Sequence, residues 1–390
     1  MTLKCKITPV DTWFFREARS HDAVGVGQLD SIFPPPASTV AGALRTLLGD
    51  LLGVDWQQFK EDKTDHQTLL GTGQDLGAFR LASLCLCVDK QPVYPAPQDL
   101  LRHHSMKGQE ETIEYHRLSI GEPLRCDLGY VRLPQMHAPA GSKPLESHYI
   151  TEQGLKTWLA GGIPSVDDLI PQSELFAIEP RLGIGRDNAS GTVKEGLLYQ
   201  TRHLRPTGTK DWHLEVLVEG LDETLLESLP ATSSIRLGGE GREAAVDFEQ
   251  VESALSDPEL ADFDTAQGIT LLLTSPARFN PETELSWCLP GFVPVQNDDG
   301  LTTHWEGELA GIALKLVAAV LPRPLRLGGW DQKERRPKPL ASLNAPGGLY
   351  YCQKQDGNAF SLQEIQTIQA QAYGEDTAWG YGRLQVGCWK

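Results

Sequence analysis

The hydrophobic positions change period several times along the chain, and each change predicts an element. "LKCKITPV" near the start alternates as a short strand. In "SIFPPPASTVAGALRTLLGDLL" the apolar residues Val40, Ala43, Leu44, Leu47, Leu48 and Leu51 recur at helical steps, with Ser38 after Pro36 as the expected N-cap. "FRLASLCLCVDK" has the dense apolar character of a buried strand. Residues 91 to 165 are rich in Pro, Gly, His and charge without a clean period, which predicts long insertions with some helix near "ITEQGLKTWLAG". After residue 205, "WHLEVLVEG" reads as a strand, "LDETLLESL" as a helix, "SSIRLGGEGREAAVDFEQV" as two strands around a glycine turn, and "GITLLLTSP" as a further strand. That order is the one expected of a ferredoxin-like sheet. The pattern predicts an α+β protein with a first domain over 1–205, interrupted at about 91–165, and a second over 206–390. Toward the end, "SLQEIQTIQAQ" is a helix candidate.

Composition narrows the class. The chain has 390 residues, 40% of them hydrophobic, which is enough for two cores. Its seven cysteines are scattered without a CxxC pair, so neither a disulfide framework nor a zinc knuckle is expected. The opening residues lack an apolar signal region and no run is long enough to span a membrane, so a soluble cytoplasmic protein is expected.

The formal charge of −17 argues against a nucleic-acid partner until its distribution is read. Between Glu215 and Thr265 stand 14 acidic residues against Arg236 and Arg242. Residues 181–211 instead carry six bases against three acids, and 323–338 carry six bases against two. Two basic islands therefore sit in an acidic chain; as isolated charge runs they read equally as solvated faces.

Six phrases in order, "DTWFFREARS", "SIFPPPASTVAGALR", "PRLGIGRDNASGTVKEGLLYQTRHLR", "LGGEGREA", "GGWDQKERRPKPLASLNAPGGLYYC" and "AWGYGRLQVG", resemble the Cmr subunit three family. That family belongs to the RAMP proteins of type III-B CRISPR effector complexes. The resemblance spans Asp11 to Gly387 and departs most between Lys90 and Ser165. It implies two ferredoxin-like (RRM-like) domains with glycine-rich loops, no nuclease activity, and no cofactor. The implied partners are the 5′ tag of the guide RNA (crRNA), the large Cas10-type subunit and a backbone RAMP subunit.

Each motif then has a chemical and a plain reading. The first turn around Ser38, Thr39 and Val40 carries no acid, so its amides and dipole offer a phosphate site, with Arg16, Arg19 and Arg45 near enough in sequence to close around it. The plain reading is a capped helix. In "RLGIGRDNASGTVKEGLLYQTRHLR", Gly183 and Gly185 permit close backbone approach, and Arg181, Arg186, Arg202 and Arg205 supply forked phosphate donors. The alternative is a structural hairpin with solvated arginines. Gly238, Gly239 and Arg242 resemble a phosphate loop without its lysine and also fit a turn. Trp330, Lys333, Arg335, Arg336 and Lys338 mix stacking surface with charge, suited to single-stranded RNA or to an acidic protein partner. Trp379, Tyr381 and Arg383 lie in what resembles the C-terminal glycine-rich RAMP loop, as RNA contacts or as core aromatics.

Two further functions compete. Guide-processing RAMP relatives are metal-independent ribonucleases that need a general base, and ten histidines are present. None has metal-protease spacing, and no hydrolase elbow, dinucleotide or kinase motif occurs, so neither a catalytic nor a metal-binding residue is assigned. The other competitor is a protein scaffold whose RNA contact is incidental.

Overall fold

Leu3, Cys5 and Ile7 of strand β1 (Thr2–Pro9) are buried on one face, while Lys4 and Lys6 belong to the other, the two-residue period of extended chain. Around this strand the largest sheet, of eight strands, is built. The computed structural model describes all residues except 1, 19–27, 61–64, 74, 108–109, 188, 253–265 and 332–335. From β1 the chain runs through α1 (Ala37–Leu51) to β2 (Arg80–Val88) and β3 (Gln91–Pro95). Two hairpins follow, β4 (Leu100–Lys107) with β5 (Glu110–Arg117), and β6 (Ser119–Cys126) with β7 (Gly129–Gln135). Then come β8 (His148–Thr151), α2 (Glu152–Leu159) and β9 (Leu169–Pro171), and a long hairpin of β10 (Phe176–Arg186) and β11 (Val193–Pro206). The first sheet closes with β12 (Trp212–Glu219), α3 (Glu223–Ser228), β13 (Thr232–Arg236) and β14 (Glu243–Val251). Its order is β9-β8-β3-β2-β12-β1-β14-β13, antiparallel throughout.

The second sheet contains β15 (Gly268–Leu273), β16 (Val293–Gln296), β17 (Thr302–Leu309), β18 (Ile312–Val320), β19 (Leu349–Lys354) and β20 (Leu384–Trp389), with α4 (Leu362–Gln369) before the last strand. Its order is β16-β17-β18-β19-β15-β20. The fold is thus mixed α+β, mostly antiparallel, with few helices. Among the described residues no helix is long and apolar enough to cross a membrane.

Three buried clusters hold these parts together. Helix α1 lays Ala37, Val40, Ala41, Leu44 and Leu48 on the Leu3–Ile7 face of the first sheet. Helix α4, started by a reciprocal cap between Ser361 and Glu364, buries Ile365 and Ile368 on the second. Between the sheets, α2 contributes Leu155, Trp158 and Leu159 to a cluster shared with Leu272, Leu349 and Trp389. Asp99, fully buried there, accepts from Arg117 at 2.6 Å, Trp158 Nε1 at 2.8 Å and the Tyr351 hydroxyl at 3.2 Å. One carboxylate thus joins the insertion, α2 and the second sheet.

Two expectations change. The division at residue 205 does not match sheet membership: Cys5 of β1 pairs with Val216 on one side and Phe248 on the other, so residues 212–251 complete the first sheet. A strand–helix–strand-pair pattern reads alike as the closing half of one sheet or the opening of the next; pairing decides, and pairing is non-local. Ser38 is not the cap either. Helix α1 begins at Ala37 after Pro36 and has no side-chain cap, and Leu51, expected in the stripe, is 44% exposed.

Candidate nucleic-acid interface

The β10–β11 hairpin stands outside both large sheets and has two unlike faces. Opposed residues of an antiparallel pair share a face, so Glu179 with His203 and Arg181 with Thr201 lie on one, and Leu182 with Gln200 and Ile184 with Leu198 on the other. The second face leaves Ile178, Leu182, Ile184 and Leu198 exposed. A short parallel pairing of Gln28–Leu29 with Gln200–Thr201, and the Trp13 bridge to Leu204, tie the hairpin to the segment after β1.

The polar face gathers charges from distant parts of the chain. Asp11 accepts from Arg205 at 3.1 Å and from Arg181 and Arg242 at 3.4 Å each. Glu179 binds Arg181 at 2.6 Å and also Arg205. Arg205 and then Arg181, as donors, hold the Glu179 carboxyl down at about 2. Three guanidiniums face two carboxylates, a net positive charge of one on an accessible surface. On the other face of the hairpin Arg202, opposite Pro180, pairs with Asp30 at 3.1 Å, and its carbonyl accepts from the Ser31 hydroxyl at 2.7 Å. The neighbouring Arg16, bridged through its backbone to Ser31, is exposed.

Beneath this layer His203 is fully buried, stacked on Phe14 at 5.1 Å, with Nδ1 3.2 Å from the Thr12 hydroxyl and Nε2 3.1 Å from that of Thr201. Burial, reinforced by Arg181 and Arg242, pushes its pKa down to about 4, so it is neutral at pH 7. Both ring nitrogens are engaged, so His203 is not free to act as a general base.

The glycines act through packing. A Cβ at Gly183 would stand 2.2 Å from the Tyr199 ring, so that glycine seats the tyrosine across the strand rather than admitting a phosphate chain. Gly185 falls at the bulge between Ile184 and Arg186. Gly238, at φ +89°, lies against the Phe14 carbonyl, to which the Gly239 amide donates at 2.8 Å. That amide is spent on the protein, which corrects the phosphate-loop reading. Arg186 turns back onto the Gly191 carbonyl at 2.9 Å.

Other expected contacts lie elsewhere. Val40 is fully buried, and the Thr39 and Val40 amides donate to Pro36, so neither receives an anion; Ser38 is half-buried beside them. Arg45 reaches away to the Asp75 carbonyl at 3.2 Å. Trp379 and Tyr381, each 7% exposed, belong to the first core, which removes them as stacking platforms. Arg383 donates to the Ala82 carbonyl and lines a cavity of about 630 Å³ with Asp75, Arg80, Glu219, Asp376 and Trp379. Three carboxylates against two guanidiniums make that cavity a poor phosphate site. In the second island, Trp330 and Asp331 pair with Arg336 and Pro337; Arg336 is exposed and Lys338 half-buried. Gly328, just before it, packs on Ala18 and Leu340. Arg19, Lys333 and Arg335 lie outside the described residues.

The chain matches the family model of CRISPR-associated protein (Cas_Cmr3) over residues 5–389. It belongs to that family. No curated protein matches this chain. Among solved structures it is similar to a type III-B Cmr-beta chain bound to cognate target RNA and AMPPnP (15% identity, 89% of this chain and 86% of that chain, TM-score 0.47). A second Cmr-beta structure with cognate target RNA gives 14%, 89%, 86% and 0.46. The Cmr-beta apo state gives 11%, 65%, 99% and 0.27. Membership rests on the family model.

Reading the sequence alone missed Asp11, Asp30 and Glu179. The island count registered the bases of one segment; the neutralising Asp11 and Asp30 come from 170 or more residues away in sequence. Asp11 did begin one of the six phrases, the one available signal.

Proposed function

We propose that this chain is a non-catalytic, guide-RNA-binding subunit of a type III-B CRISPR effector complex. It holds the 5′ tag region of the guide and bridges the Cas10-type subunit to the backbone RAMP subunit. Family membership supports this reading, and one structural observation carries the RNA part: Arg181, Arg205 and Arg242 come together at one accessible surface, fixed by Asp11 and Glu179. Oriented guanidiniums suit phosphate because their fork matches two oxygens at once. The sheets support a RAMP assignment too. Numbering β1, β2, β12 and β14 as one to four gives the spatial order 2-3-1-4 with α1 and α3 between strands, a ferredoxin-like arrangement; β15, β18, β19 and β20 repeat it with α4. The ribonuclease alternative is disfavoured at this surface by the buried, engaged His203.

Co-expression with the genes beside its own, followed by purification on this chain and sequencing of bound RNA, tests the proposal. Guide RNAs with a common 5′ end should co-purify, together with a Cas10-type and a backbone subunit. Recovery of the protein partners without RNA contact to this chain supports the scaffold reading instead.

A further inference from the structure

The face of the first sheet turned away from α1 carries side chains that the RNA reading does not use. On β2 and β12, Cys87 is opposed by His213 and Cys85 by Glu215. Opposed residues share a face, as do residues two apart on a strand, so two thiols, an imidazole and a carboxylate form a two-by-two block. The Cys87 thiol, a His213 ring nitrogen and a Glu215 carboxylate oxygen lie within 4.8 Å of one another. Cys87 is 3% and His213 7% exposed.

We propose that Cys87, His213 and Glu215 bind a zinc ion, with the Cys85 thiol or a water as fourth ligand. Sulfur and imidazole donors select a borderline-soft cation, whereas magnesium and calcium take oxygen. With Zn–S near 2.3 Å and Zn–N and Zn–O near 2.1 Å, tetrahedral ligand atoms sit roughly 3.5 Å apart, so the side chains close by about an ångström. Rotamer adjustment on two hydrogen-bonded strands can supply that movement. Glu215 also meets Lys4 at 3.5 Å, but Lys4 is nearer Glu249 at 3.1 Å, which leaves Glu215 able to turn to a metal. On binding, the Cys87 thiol loses its proton to solvent and the thiolate ligates the ion. The ion would pin β2 to β12 and so join the two halves of the first sheet. Its sequence signal is C-x-C and H-x-E at strand spacing, which a search for CxxC does not register.

The test uses the full chain purified without chelator. Metal content by mass spectrometry should give one zinc per chain. After stripping, cobalt should restore tetrahedral visible bands with a thiolate charge-transfer band, and zinc should raise the melting temperature. Cys87→Ser and His213→Gln should lose all three responses, while the distant Cys126→Ser retains them. Glu215→Gln, at the more exposed edge, serves if either core variant fails to fold, and should bind zinc more weakly. Absence of stoichiometric zinc and of the cobalt band in the folded unmodified chain overturns the proposal. Retention of both by folded Cys87→Ser, an undiminished zinc affinity in folded Glu215→Gln, or a Cys85–Cys87 disulfide whose reduction yields no metal uptake, also overturns it.

Discussion

Replacing Asp11 by Asn separates two roles for the arginines gathered on the hairpin. The Asp11 carboxylate is shared by Arg181, Arg205 and Arg242, and with Glu179 it leaves a net of one positive charge. The amide keeps the shape, and its oxygen still accepts one donor, but the local charge rises to two. If phosphates lie here, the variant neutralises up to one more of them. For single-stranded nucleic acid, log K changes by about 0.7 per decade of salt for each phosphate, so one extra phosphate is worth about fivefold tighter binding at roughly 0.1 M salt. The salt slope should steepen by about 0.7. Because these ion pairs are exposed, the melting temperature should fall by no more than a few degrees. Fluorescence anisotropy of a labelled guide at salt concentrations from about 50 to 200 mM measures affinity and slope together. Unchanged or weaker affinity, from a variant with unmodified circular dichroism, would refute the reasoning and make the cluster a structural clasp.

Three further outcomes follow from burial. Since His203 is neutral when folded, with a pKa of about 4 against roughly 6.5 when unfolded, its contribution is complete above pH 6.5 and is lost as pH falls toward 4. Discounting the part due to the solvent-screened arginines, denaturant titrations should find a loss of about 1–2 kcal/mol across that window, absent in His203→Phe. Asp99→Ala strands Arg117, Trp158 Nε1 and the Tyr351 hydroxyl in the inter-sheet cluster and should lower unfolding free energy by roughly 3–5 kcal/mol. On α1, Thr39→Asp should stabilise by about 0.3–1 kcal/mol through the helix dipole, whereas Val40→Glu should destabilise by at least about 3 kcal/mol because that position is fully buried.

The contrast between Thr39 and Val40 illustrates what the sequence could convey. Both lie in a helix start without acids, and periodicity placed the helix start to within two residues, but not how its first turn faced the core. Strands β1, β2, β12 and β15 and helices α2, α3 and α4 were legible because each carries its own hydrophobic period. The hairpins β4–β5 and β6–β7 were not, since polar and charged residues occupy both of their faces. Sheet membership of residues 212–251 was also hidden, being set by pairing with β1 across more than 200 residues. At the site, the arginines could be named but not their carboxylate partners, and Trp379 and Tyr381 read equally as RNA contacts or core aromatics until packing placed them in the core.

The measurement that bears most directly on the central claim is photo-cross-linking of guide RNA in the reconstituted effector complex, with cross-linked peptides of this chain identified by mass spectrometry. The account predicts that nucleotides of the 5′ tag attach to peptides from 179–205 and 237–242, and that Arg181→Ala with Arg205→Ala removes those cross-links while the complex still assembles. Cross-links confined to other subunits, or to this chain only outside those segments, would contradict it.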